Sequence, residues 1–455
     1  MSITFGSDIY AALLSDAELA FLLSDEQELR SMLEVEAALA RAQGKLGLIP
    51  ASAAARIDTV ARHLHIAPET LAAGTLKSGV PITGLIAALR QAVGSMAADY
   101  VHWGATSQDI VDTALILRLK AAGEILLSRL SSLAGLLAEQ SDAHRRTVMP
   151  ARTRFQQAVP TSYGFKVAGW LAPLIRHQQR LKEMRGRLLV VQFGGAAGTL
   201  AALGGHGIAV TEALAAELGL GAPALSWHTQ RDSIIEFAGW LSLLSASLGK
   251  IGRDVLLMAQ SEVGELRSAA AGGSSTMPQK ANPVLAEILP ALAQANAHVL
   301  GALHGAMMQE QERGGSEWMV EWMTLPQMMI ATAAALNHAR SLIAGLTVDA
   351  GRMRANIEAS NGLILAEAAV FALAAHMSRS EAEALVEAAC RTVLDEGGHL
   401  CDALAKRTQA PVDFARLRDP CEYLGVTDAL IDRVLGNFKS EFGGHSGAQV
   451  GAADQ

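Results

Sequence analysis

Eleven residues from Gly273 to Pro283, GSSTMPQKANP, hold two serines, a lysine and an asparagine between glycines and prolines. So polar a stretch cannot be core, and ordering it costs backbone entropy that a function must offset. The residue types suit a substrate that carries carboxylates. Lys280 offers positive charge, Asn282 offers amide donors, and a serine acts as a base where its alkoxide is stabilised. The preceding AAAGG run supplies mobility and Pro278 and Pro283 supply stiff points, the pattern of a closing lid. The GxxxxGK[ST] order of a phosphate-binding loop is missing.

Three more polar islands interrupt the apolar chain. HWGATSQD, His102 to Asp109, sets a histidine and the hydroxyls of Thr106 and Ser107 just before a long helical pattern. The free amides and dipole of a helix N-terminus would join these hydroxyls in holding a carboxylate. Capping by Thr106, with box-like spacing to Asp109, explains part of the island but not His102 or Ser107. ARTRFQQAVPTSYG carries Arg152, Arg154, Gln156 and Gln157 near a turn, where paired arginines serve either a solvated surface or an anion. WHTQRD offers His228, Gln230 and Arg231 as donors to anionic groups, although a lone histidine also serves structure. Arg313, in QEQERGG, lies at an expected helix end within reach of a ligand. GGAAGTLAALGG, Gly194 to Gly205, lacks the GxGxxG spacing of a dinucleotide fingerprint.

The elements that must position these islands are long helices. Apolar residues recur every three or four positions from Thr106 to about Ser141, from Asp232 to Glu265, through TSYGFKVAGWLAPLIRHQQRLKEMRGRLL, through NPVLAEILPALAQANAHVLGALHGAMMQEQER and through SEWMVEWMTLPQMMIATAAALNHARSLIAGL. Asn282 and Pro283 suit a helix start, and Pro290 and Pro326 mark expected bends. GRLLVVQFGG is the best strand candidate, or else the end of a helix. The fold class expected is all-α: an N-terminal helical domain (1–100), a central long-helix bundle (101–347) and a C-terminal helical domain (348–455). Several helices are apolar on more than one face, so copies of the bundle are expected to bury one another in a homo-oligomer, a chain wrapping its own helices being the alternative.

Composition limits the function. Hydrophobic residues make up 50% of the 455 and charged ones 18%, which is helix-prone and not disordered. A net charge of -8 without a basic block argues against a nucleic-acid partner. Cys390, Cys401 and Cys421 lack metal-site spacing and read as reduced thiols, so no metal or other cofactor is expected. No basic n-region and apolar run opens the chain, and polar residues interrupt its apolar stretches before membrane-span length. A cytoplasmic protein with no membrane partner is expected.

GSSTMPQKANP resembles the signature of the fumarase/aspartase superfamily, GSSxMPxKxNP, and HWGATSQD, RTRFQQAVPTSYG, FGGAAGT, WHTQRD and QEQERGGSEWMVEW extend the resemblance over nearly the whole chain. It is most similar to the superfamily's cycloisomerase branch, with the adenylosuccinate lyase branch next. The resemblance implies a homotetramer whose core is a bundle of long helices, with active sites where three subunits meet. It implies Ser274 as catalytic base, Lys280 and Asn282 on the substrate carboxylate, Thr106 and Ser107 on another carboxylate, and His102 in an active-site position. The substrate implied is a small polycarboxylate, with Arg152, Arg154, Gln156, His228, Gln230, Arg231 and Arg313 as candidate donors. Arg154 stands where the lyases keep a proton-donating histidine, and MPQKANP where close relatives more often read MPHKRNP. The activity implied is a lactone-forming cycloisomerisation; a C–N lyase releasing fumarate and a catalytically silent homologue are the alternatives.

Overall fold

The computed structural model describes residues 7–268, 272–273, 276–277 and 280–443. Ser274, Pro278 and Gln279 lie outside the described residues. The fold is all-α. Five long helices carry it: Ser107–Ala143, Tyr163–Leu188, Asp232–Met258, Val284–Ala306 and Ser316–Ala344. The first has 37 residues, which at 1.5 Å per residue makes a rod of roughly 55 Å. Pro173, Pro290 and Pro326 sit inside helices that continue through them. The Asp232 helix ends at Met258, short of Glu265, because the chain turns there into a strand, Leu266–Ser268, paired antiparallel with Leu346–Val348. This helix is long and apolar enough to cross a membrane, contrary to the reading of interrupted apolar stretches, and 61% of its apolar window is buried inside the protein.

By contacts the chain divides into two compact units. One comprises Met1–Arg129, Gln179–Ala246 and Ala291–Leu336; the other comprises Leu130–Gln178, Ser247–Pro290 and Asn337–Gln455. In the first unit the Asp25–Lys45 helix presents Met32, Leu33, Val35 and Leu39 to a core that takes in Ile57, Leu85, Leu89, Ile110 and Leu214. In the second, Leu373, Val386, Val393, Leu400 and Leu404 form one apolar cluster, and Val148, Ile357, Ile364 and Leu424 form another.

Two local readings take definite form. GRLLVVQFGG is not a strand: the helix runs to Leu188, and the following residues make a single isolated bridge, Val190 to Gly221. Val191 and Phe193 are instead core side chains. The arginine-bearing island is a β-hairpin, Val148–Thr153 paired with Gln156–Ser162, with the register broken between Pro150 and Arg152. Its two-residue turn is Arg154–Phe155, with φ of 51° and 68°. A tight hairpin turn of this twist needs positive φ at both central positions, which glycine or asparagine normally supplies.

Candidate active site

The first unit brings together His102, Thr106, Ser107, His228, Arg231 and Arg313 around the N-terminus of the Ser107–Ala143 helix. Its centre is Asp109, which the sequence marked only as part of a cap. The Asp109 carboxylate is buried and accepts from the amides of Gly194 and Gly195 at 2.9 Å each, from the amide of Thr106 at 3.0 Å and from Gln192 Nε2 at 3.3 Å. His228 Nε2 lies 2.8 Å from the same carboxylate, and its Nδ1 lies 3.2 Å from Ser226 Oγ. One short side chain thus fixes the helix start, the FGGAAGT loop and the WHTQRD island. Glycine is required in that loop, since a Cβ on Gly194 would meet Ser226 Oγ at 2.4 Å and His228 Cε1 at 2.9 Å.

Arg313 donates to Thr106 Oγ1 at 2.8 Å and to the carbonyls of Ala196 and Gly195 at 2.9 and 3.3 Å. All three acceptors are neutral, the side chain is exposed, and no carboxylate pairs with it among the described residues. Its positive charge is therefore held in place but not neutralised, beside the positive end of a long helix. Thr106 Oγ1 serves Arg313 while Asp109 closes the cap on the Thr106 amide, so the capping box is only half formed.

Arg231 does not fit the role of a substrate donor. It is fully buried and donates to Asp112 at 2.6 and 3.2 Å and to Glu321 Oε1 at 2.8 Å and Oε2 at 2.5 Å. Trp318 Nε1 adds a hydrogen bond to Asp112 at 3.0 Å, and the guanidinium lies over the Trp227 ring at 4.9 Å from its centre. Burial alone would lower the guanidinium pKa, but Asp112 and Glu321 raise it above the usual range. Two carboxylates share one guanidinium, and burial pushes Glu321 up. Gln230 is exposed on the rim of a cleft of about 360 Å³ that Trp227 and Asp232 also line.

His102, at φ 63°, holds its Nδ1 2.6 Å from the buried Glu36. Burial opposes the charged imidazolium, but the Glu36 carboxylate outweighs it and raises the histidine pKa. No sequence pattern linked these two residues.

In the second unit, Arg152 is also committed. It grips the buried Glu265 with both terminal nitrogens, at 2.9 and 2.6 Å, and Asn356 donates to the same carboxylate at 2.9 Å. It ties the hairpin to the chain ahead of Leu266 and has no charge left for a substrate. Arg154 and Gln156 are exposed at the hairpin tip. Asn282 and Ala281 pair with Gly272 and Gly273, which closes the base of the signature segment, and Lys280 is exposed within it. Among the described residues, no three His, Cys, Asp or Glu side chains converge as a metal site requires.

Comparisons with known proteins agree with this architecture. A family model described as Lyase matches residues 8–301, and one described as adenylosuccinate lyase C-terminus matches residues 362–434. The chain is 43% identical over 446 residues to a 3-carboxy-cis,cis-muconate cycloisomerase of Pseudomonas aeruginosa, covering 96% of this chain and 97% of that one. It is 42% identical to the protein of that name from Bradyrhizobium diazoefficiens, covering 96% and 99%. The crystal structure of 3-carboxy-cis,cis-muconate lactonizing enzyme from Pseudomonas putida superposes with a TM-score of 0.90 at 39% identity, over 96% of this chain and 100% of that one. The chain belongs to the lyase family of the fumarase/aspartase superfamily.

Proposed function

We propose that this enzyme converts 3-carboxy-cis,cis-muconate to a carboxymuconolactone. The reading is supported by the relatives at 42–43% identity over nearly full length. The site observation that carries it is Arg313, a cation held against Thr106 with neutral acceptors only, as a subsite for a carboxylate requires. One carboxylate of the substrate adds across the conjugated double bond, and the carbon α to another carboxylate gains a proton. The intermediate places two negative charges on one carboxylate, so fixed donors must stabilise it. Lys280, Asn282 and the helix amides near Thr106 and Ser107 are assigned that role. Ser274 is assigned as the catalytic base, which as an alkoxide removes that proton from carbon in the reverse, lactone-opening direction. A serine hydroxyl needs a positive surrounding field for this, and a closed lid supplies it.

The assembly proposed is a cytoplasmic homotetramer in the degradation of aromatic compounds, with active sites shared between subunits. The domains proposed are an N-terminal helical domain, 1–100, a central long-helix bundle, 101–347, and a C-terminal helical domain, 348–455. Incubating the purified protein with 3-carboxy-cis,cis-muconate tests the reading. Ultraviolet absorbance of the dienoate is expected to fall, and to stay constant with Ser274→Ala of the same oligomeric size. Fumarate appearing from adenylosuccinate, with the muconate untouched, would replace it with a C–N lyase.

A further inference from the structure

The hairpin walls a cavity of about 420 Å³, lined by Pro150, Arg152, Arg154, Lys166, Asp254 and Gln260 among others. Three cations face one carboxylate there, and the carboxylates nearby are already engaged. Glu265 holds Arg152. Asp254 accepts from Trp170 Nε1 at 2.8 Å and pairs with Lys250 one turn away on its own helix. Lys166 reaches Asp254 only at 3.7 Å, beyond a hydrogen bond, and among the described residues its ammonium makes no other contact of that kind. Arg154 has no ion pair among the described residues, and it sits in a strained turn with Phe155. The Lys166 side chain is half-buried, and Asp254 is the carboxylate within ion-pair reach of its ammonium among the described residues. Strained backbone of this type collects at ligand sites.

We propose that this cavity is a carboxylate subsite in which Lys166 and Arg154 grip one carboxylate of a small polycarboxylate. The proposal rests on the polycarboxylate reading above and adds Lys166, which no family motif marked. A carboxylate there completes the hydrogen bonds of the Lys166 ammonium, which Asp254 meets only at 3.7 Å, and balances the charge of Arg154. Burial holds the Lys166 amine below the ordinary lysine range; Asp254 and Glu265 oppose that, and Lys250 and Arg152 reinforce it. The grip of Lys166 therefore weakens with rising pH earlier than that of an ordinary lysine.

Calorimetric titration of the full chain with propane-1,2,3-tricarboxylate as probe tests the subsite. Lys166→Met and Arg154→Met are each expected to weaken binding about 10-fold or more, the worth of one charge-assisted hydrogen bond, while Lys166→Arg restores most of it. Lys166→Met is also expected to raise KM for the muconate more than it lowers kcat, and to abolish the early loss of affinity at alkaline pH. Unchanged affinity in Arg154→Met, or in a folded Lys166→Met, overturns the proposal. Should Lys166→Met fail to fold, the exposed Arg154 still decides. Probe binding lost in both variants without any muconate turnover by the unaltered protein leaves the subsite standing and refutes the cycloisomerase reading. Turnover with unchanged probe affinity does the reverse.

Discussion

The cluster around Arg231 and the hairpin around Arg154 are both built from charged residues, yet they do opposite things. Arg231 lies buried between Asp112 and Glu321, and Asp109 beside it collects donors from three separate stretches of chain. Arg154 is exposed on a two-residue turn with no carboxylate partner among the described residues. A buried charge is tolerable only when its partners are complete, and breaking such a set leaves an uncompensated ion. A charge without a partner can accept one from a ligand. Paired ions here hold the backbone in place, and cations with no carboxylate partner among the described residues, such as Arg313 and Arg154, can meet an anion. Arg313 lies near the paired cluster in its unit but belongs with the hairpin in kind.

Breaking the paired cluster gives the largest expected effect. Arg231→Met strands two buried carboxylates and is expected to cost about 3–5 kcal/mol, read as an earlier urea midpoint. Asp109→Asn keeps the shape but gives up a charged acceptor shared by several amides. About 2 kcal/mol of stability is expected to go with it, together with most activity, because the FGGAAGT loop and the start of the Ser107 helix lose their common anchor. Phe155→Gly on the hairpin is smaller and opposite in sign. Glycine accepts φ near 68° without strain, so thermal stability is expected to stay level or rise by up to about 1 kcal/mol while KM rises as the tip loosens. A drop in melting temperature would show that Phe155 is held by contacts that outweigh its strain.

The smallest effect is that of pH on His102. Its folded pKa is raised by Glu36, so the stability it contributes is complete below the unfolded histidine value of about 6.5 and disappears as pH climbs through the folded value. His102→Gln is expected to flatten the stability profile over that window and leave it unchanged at higher pH. A wild-type profile that instead rises through neutral pH, with the rise abolished by the substitution, would contradict the Glu36 pairing.

The long helices were legible because three- and four-residue apolar spacing persists over many turns and does not depend on distant partners. The hairpin was not, because Arg-Phe carries none of the usual turn chemistry and its positive φ values are imposed by the flanking strands. The VVQF run has strand-like side chains, but its residues found a helical core to fill before a second strand. At the site, residue types were legible and pairings were not. Arg231 looked like a free donor because Asp112 lies 119 residues earlier and Glu321 90 residues later, distances that no local pattern spans. Arg152 hid Glu265 in the same way, 113 residues on. Asp112 did stand three residues after Asp109, which puts both on adjacent turns of one helix, and two acids on an otherwise apolar helix face were the available clue.

Urea unfolding and steady-state kinetics run together on Arg313→Met test the central claim most directly. A cation held only by neutral acceptors should leave the unfolding midpoint within about 0.5 kcal/mol of the unaltered protein. Its loss should lower kcat/KM on the muconate about 10- to 100-fold, as expected for a charge-assisted contact to substrate. A midpoint shifted as far as that of Arg231→Met, with kcat/KM of the folded protein unchanged, would show that Arg313 serves the fold and that the division between paired and unneutralised charge is wrong.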